Sequence, residues 1–270
     1  MKAKTRKSLI KFNTKCFLCL VPSLAGITIF FVIPYFRVLY FSLTDNQFRR
    51  NFVGLDNYVK TLQNEFFQLA FKNSMMLILI AVPALILLSV IISLALSFGI
   101  RKLRMLRTAF VLPMVIPTAS AALIWATFFS GVNNILPVYL LFIWKNCGIC
   151  IILMTAAFTC IDNSIFEAAR LDGTVKLRLH IRITVPMIMP TIIFSALLSI
   201  VNSFKIFKET YLYYGGTNYP PSHSYTLQYY MNNNFLKLDY QSLATSAVLT
   251  SLLVFVIVMG GLALQRRYRQ

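Results

Sequence analysis

Four of the five cysteines fall into two C-x-x-C pairs, Cys16/Cys19 and Cys147/Cys150. Four thiolates at that spacing can hold a zinc ion, and one pair can cycle as a disulfide. The first pair sits at the edge of one long apolar run and the second well inside another, so packing is the stronger reading. Only two histidines occur, His180 and His223, too few and too far apart for a metal or relay site. No Ser-His-Asp or Cys-His pattern is visible, and with no Gly-Lys pair the chain has no P-loop of its own. None of the eight acids lies near the middle of an apolar run, which leaves little for proton or sodium coupling. One polar row stands out. Asn202, Lys205 and Glu209 recur at three- and four-residue spacing and so share a face of a helix. That face either lines a pathway that hydrogen-bonds hydroxyls, or packs between subunits while Lys205 and Lys208 reach outward to headgroups.

The elements that must position these residues are membrane spans. At 58% hydrophobic and only 13% charged, the composition excludes a disordered chain and an ordinary cytosolic enzyme. Apolar stretches near the roughly 20 residues needed to cross a bilayer run about Cys16–Leu43, Ser74–Ile100, Ala109–Gly131, Leu136–Ile161, Pro186–Phe204 and Leu243–Leu264. Backbone in lipid must satisfy its own hydrogen bonds, so all six are expected to be helices. The first is too long for a signal-peptide core and has no small-x-small cleavage site after it. The net charge of +18 is unevenly shared: 17 basic residues fall in the N-terminal arm, the second and fourth loops and the tail, against 7 in the other loops. The predicted fold is therefore an all-α polytopic membrane protein with six transmembrane helices and both termini cytoplasmic. The basic excess is explained without nucleic acid. Residues 1–15 form a basic arm and 16–270 a single membrane domain, with a core bundle over about 70–264.

Asp162-Asn-Ser-Ile-Phe-Glu-Ala-Ala-Arg-Leu-Asp-Gly-Thr lies in the most informative loop, residues 162–185. Ser164 and Glu167 form an S-x-x-E capping box, which predicts a short helix from Ile165 to Asp172. Gly173 supplies its left-handed stop. Ala168 and Ala169 leave the helix without bulk for close approach by another surface, though an ordinary capped loop helix reads the same way. From Lys176 to Ile183 basic and apolar residues alternate, a strand-like period; a lone strand would leave its edges unpaired, so helix or irregular structure is expected.

Glu167-Ala-Ala, three residues, Gly173, nine residues, then Ile183-Thr-Val-Pro186 is similar to the EAA loop of permease subunits in binding-protein-dependent ABC importers, with Val185 where Leu is usual. The likeness covers nearly the whole chain and points to the sugar-importer branch. Its carriers are Pro22 through Phe41-Ser-Leu-Thr-Asp45, Phe52-Val-Gly-Leu-Asp-Asn-Tyr-Val59, Leu112-Pro with Ala121-Ala-Leu-Ile-Trp125, and Tyr225-Thr-Leu-Gln-Tyr-Tyr230. The resemblance implies a non-enzymatic pathway subunit in a cell membrane, bacterial in kind. Its partners would be a second permease, two ATPase subunits and an extracytoplasmic solute-binding protein. This chain would bind no cofactor, ATP and Mg being used by the partner ATPase. The coupling helix would comprise Ser164, Glu167, Ala168, Ala169, Asp172 and Gly173. Glu167 would pair with ATPase donors, the alanines would permit docking, and Gly173 would set the turn.

Three features depart from the family pattern: the short Gly131–Pro137 connection, Tyr214-Gly-Gly-Thr-Asn-Tyr-Pro-Pro221 in place of a threonine- and glycine-rich turn, and no proline over Ile161–Ser164. Substrate-pathway expectations add Trp125, Tyr229 and Tyr230 to Asn202, Lys205 and Glu209. The eight tyrosines between Tyr211 and Tyr240 serve either to stack on sugar faces or as the usual interfacial aromatic belt. Pro83, Pro113 and Pro117 are expected to kink their helices. A phosphate-ester cargo, a self-contained secondary carrier and a permease that no longer transports are the rival readings.

Overall fold

The structure, a computed structural model, describes residues 17, 19–46, 51–98, 107–171 and 174–268. The arm 1–15, Cys16, the segment 101–106 with Arg101, Lys102 and Arg104, and the pair Asp172 and Gly173 lie outside the described residues. Among the described residues no strand occurs beyond an isolated antiparallel bridge between Thr44 and Phe52. Four helices are long and apolar enough to cross a membrane: Cys19–Ser42, Glu65–Ser97, Leu136–Thr159 and Tyr240–Arg267. Two further apolar stretches among the described residues are helix pairs bent at a short break. Thr108–Val115 and Thr118–Phe128 meet at 102°, and His180–Met187 and Met189–Ser203 meet at 64°. With each bent pair taken as one span there are six.

The breaks have local causes. Pro117 is extended at φ −54 and ψ 135, and a proline disfavours helical backbone in the residue before it, here Ile116. In the fifth span the helix stops at Ile188 and restarts with Pro190 in its first turn, where a missing N–H costs nothing. Pro83 and Pro113, by contrast, lie inside helices that continue past them. The strand-like alternation from Lys176 is helical: an α-helical turn over Lys176–Leu179 passes into a π-helix over His180–Thr184. Helix satisfies this backbone internally, as a lone strand could not.

The second span lies along the fourth, and the fifth packs on both. Their shared core holds Leu77, Leu85, Phe142, Ile151, Met154 and Phe158. The sixth span packs on the fifth, and the first hangs outside on the sixth with none of its most apolar window buried. Such an apolar, unburied helix has lipid for its solvent. Cys147 and Cys150 sit in the core, Cys147 donating to the Trp144 carbonyl at 3.2 Å and Cys150 lying 3.5 Å from the Ser199 hydroxyl.

One glycine fixes how the third span meets the fourth. A Cβ on Gly148 would lie 2.5 Å from the Phe110 carbonyl oxygen, so backbone would have to move to admit it. Small residues let membrane helices approach this closely. Gly148→Ala is expected to lower the thermal midpoint of the purified protein, by overpacking worth about 1–3 kcal/mol. Gly26→Ala, whose Cβ would meet nothing within 4 Å, is the neutral control in the same melt.

Candidate functional site

Lys145 is the tenth residue of the 24-residue helix Leu136–Thr159, in its middle third. An ammonium group at that depth needs partners, since a bare charge in a span is costly. Its Nζ donates to Thr118 Oγ1 at 2.7 Å and to Glu209 Oε1 at 3.2 Å. The ion-paired side chains are only 14% and 21% exposed. Thr118 is the first residue after the break in the third span, and Glu209 lies in the helix Phe207–Tyr213 that follows the fifth. One lysine thus ties together the bent third span, the fourth span and the chain leaving the fifth.

Beside it Asn202 Nδ2 donates to Asn146 Oδ1 at 3.1 Å, while Asn146 Nδ2 holds the Phe142 carbonyl at 2.8 Å. Lys145, Asn146, Asn202, Lys205 and Glu209, with Met114, Phe142 and Ile206 beside them, line one half-open cavity of about 220 Å³. The polar row expected on one helix face is therefore gathered, by a different route. The helix ends at Ser203 and a turn intervenes before Phe207, with Lys205 N–H on the Asn202 carbonyl at 3.0 Å. Contrary to the expectation for the acids, Glu209 is drawn to the level of mid-span Lys145. Two ammoniums, one carboxylate and two amides make a cavity suited to a hydroxyl-rich solute.

At its basic end the fourth span leads, after Cys160–Asp162, into the helix Asn163–Leu171. The Asp162 carboxylate accepts from the Ser164 backbone N–H at 2.9 Å, which holds that carboxyl below its ordinary range. Asp162, rather than Ser164, is the capping side chain, and the helix begins before the predicted Ile165. Thr174 N–H reaches back to the Ala169 carbonyl at 3.0 Å. Ser164, Glu167, Ala168 and Leu171 are all exposed and share one face by their spacing. Ala169 is 6% exposed and turned into the protein. Only Ala168 of the two alanines is thus on the free face. Leu171, at 89% exposure, is an apolar knob that the sequence reading missed.

Residues 71–270 match the family of binding-protein-dependent transport system inner membrane components. The chain belongs to that family. It is 27% identical over 259 residues to the lactose transport system permease protein LacF of Rhizobium radiobacter, covering 86% of this chain and 87% of that protein. To the sulfoquinovosyl glycerol transport system permease protein SmoG of Agrobacterium fabrum it is 26% identical over 255 residues, covering 83% and 82%. Its fold is that of a chain in the crystal structure of a bacterial ABC transporter involved in the import of the acidic polysaccharide alginate, with a TM-score of 0.76 over 96% of this chain and 98% of that one, at 23% identity.

Within this inner membrane component the remaining pathway expectations fall away from the cavity. Trp125 stacks on Trp144 with ring centroids 5.1 Å apart and spends its Nε1–H on the Pro137 carbonyl at 2.9 Å. It holds the third span to the start of the fourth. Tyr229 and Tyr230 are 0% and 5% exposed, in a second apolar cluster with Phe67, Phe204, Tyr225 and Leu227. These rings are packing groups here, out of reach of a solute in the cavity.

Proposed function

We propose that this inner membrane component forms the translocation pathway of an ATP-driven importer for a sugar or oligosaccharide. The observation that carries the reading is that one long helix joins the cavity, through the short turn Cys160–Asp162, to an exposed helix. The fourth span bears Lys145 and Asn146 at the polar cavity and, about 20 Å along its axis at 1.5 Å per residue, hands over to the exposed helix Asn163–Leu171. A push on that helix would reach the cavity along the fourth span. In this reading the basic side is cytoplasmic, and separate ATPase subunits consume ATP and Mg. A second permease and an extracytoplasmic binding protein complete the machine, and this chain itself takes no cofactor. Lactose and sulfoquinovosyl glycerol, named for the transport systems of the two relatives, are both glycosides rich in hydroxyls, matching the amide and ammonium donors of the cavity.

Proteoliposomes holding the assembled importer test this. Uptake of a labelled disaccharide should require ATP inside the partner compartment and survive collapse of ion gradients. Uptake by the chain alone, or uptake abolished by an uncoupler at constant ATP, would sink the reading. The second lysine of the cavity, Lys205, against a single carboxylate, favours an anionic glycerol ester as the alternative cargo. Competition by phosphate esters exceeding that by neutral sugars would favour it.

A further inference from the structure

The segment Phe52–Val59 and the helix it opens, Asp56–Gln63, take no part in the cavity or in coupling. Three faces of this helix have three different characters. Asn57, Tyr58 and Thr61 face the protein: Asn57 Nδ2 donates to the Ser42 and Thr44 carbonyls at 3.0 and 2.8 Å, and the Tyr58 hydroxyl lies 2.7 Å from that of Ser42. These contacts satisfy carbonyls left over where the first span ends and lock the helix onto it. Asp56, Lys60 and Gln63 form a polar exposed face. Leu55, Val59 and Leu62 form the third, at 67%, 50% and 51% exposure. Their four- and three-residue spacing makes them one stripe.

We propose that this helix lies in the membrane interface, with the Leu55–Val59–Leu62 stripe seated among lipid chains and the Asp56–Lys60–Gln63 face in water. The place of the stripe identifies the occupant as lipid. Asn64 breaks the helix and caps the next with its side chain, Oδ1 accepting from the Phe66 and Phe67 N–H groups at 2.9 and 3.2 Å. The helix is tied to Ser42 and Thr44, where the apolar first span Cys19–Ser42 ends, and this contact sets it at the rim of the membrane. Phe66, at 61% exposure, carries the apolar surface onto that span. Leu62 also opens an apolar groove of about 230 Å³ that runs between Phe67 and Phe71 of the second span and Leu249 and Leu253 of the sixth. On the sixth span the face bearing Leu249 and Leu253 runs on by helical spacing to Val256, 66% exposed. The stripe thus runs on into the apolar outer surface of the second and sixth spans. An amphipathic helix of this kind binds by its buried apolar area and would hold the first two spans at fixed depth while the bundle moves.

The test places a tryptophan at Val59 or Leu62, and at Lys60 or Gln63 as controls, in the importer reconstituted with phospholipids brominated high on the acyl chain. Emission from Trp125 and Trp144 is subtracted using the unsubstituted complex. Bromolipid should quench Val59→Trp and Leu62→Trp severalfold more than Lys60→Trp and Gln63→Trp, and aqueous iodide should do the reverse. Iodide quenching of Val59→Trp and Leu62→Trp would overturn the proposal, because the stripe would then face water. Protection from both quenchers would overturn it too, because a protein partner would then cover the stripe.

Discussion

Lys145→Met is expected to lower the melting midpoint and to cut uptake at limiting solute by about tenfold or more, the worth of one hydrogen bond from a charged donor. The substitution leaves the Glu209 carboxylate without its ammonium and Thr118 Oγ1 without its donor. Removing one member of a buried pair costs about 3–5 kcal/mol, and the 14% and 21% exposures of this pair put the cost toward the smaller figure. That cost of about 3 kcal/mol falls on folding and is read in the melt, separately from uptake. The variant with Glu209→Gln added separates two roles for the lysine. Replacing both partners removes the stranded charge and should restore the melting midpoint. If Lys145 also contacts the solute, uptake stays low in the double variant while stability recovers. Recovery of both would reduce the pair to a structural tie between the bent third span and the chain after the fifth. Wild-type uptake in Lys145→Met alone would remove the cavity from the pathway.

Half of that cavity was legible in the sequence, and the missing half has a clear reason. Asn202, Lys205 and Glu209 announce themselves because polar groups at the end of an apolar run have few explanations. Lys145 and Asn146 interrupt another run in the same way, but a sequence carries no direct record of which helices touch. Pairing of Lys145 with Glu209 spans 64 positions and depends on the break at Pro117 turning Thr118 toward the fourth span. The apolar runs were readable because a bilayer demands length whatever their neighbours are; four of the six are single spanning helices and two are bent pairs among the described residues. A kink at Pro117 was readable from its proline, but the same signal at Pro83 and Pro113 falls inside helices that continue past them. The halt at Ile188 has the same local chemistry, Pro190 opening the restarted helix, but Pro186 and Pro190 leave the exact residue undetermined in the sequence. Tyr229 shows a further limit: a ring near the end of a span suits a belt, a sugar platform or a core equally well, and only the packing of Phe67, Phe204 and Phe207 around it decides.

The second large effect is expected at the opposite end of the fourth span. Leu171→Asp should abolish ATP-driven uptake, by more than tenfold, while the protein still inserts and melts as before. Folding should be indifferent because Leu171 is 89% exposed, and surface changes away from special features stay within about 0.5 kcal/mol. Docking should not be indifferent, because an apolar anchor seated in a partner's cleft is worth roughly 2 kcal/mol or more, over tenfold in affinity. Glu167→Lys, four residues back on the same face, should act in the same direction by reversing the charge offered to the ATPase. Ala168→Leu should do so by adding bulk where a partner must approach. Ala169→Leu makes the opposite control. At 6% exposure its added volume strikes the protein's own interior, so the melting midpoint should fall whether or not an ATPase is present. Co-purification of the ATPase with each variant, set beside uptake and melting, distinguishes the four. Retention of both ATPase binding and ATP-driven uptake by the Leu171→Asp, Glu167→Lys double variant would show that the helix Asn163–Leu171 is an ordinary loop helix, and the fourth span would have no handle.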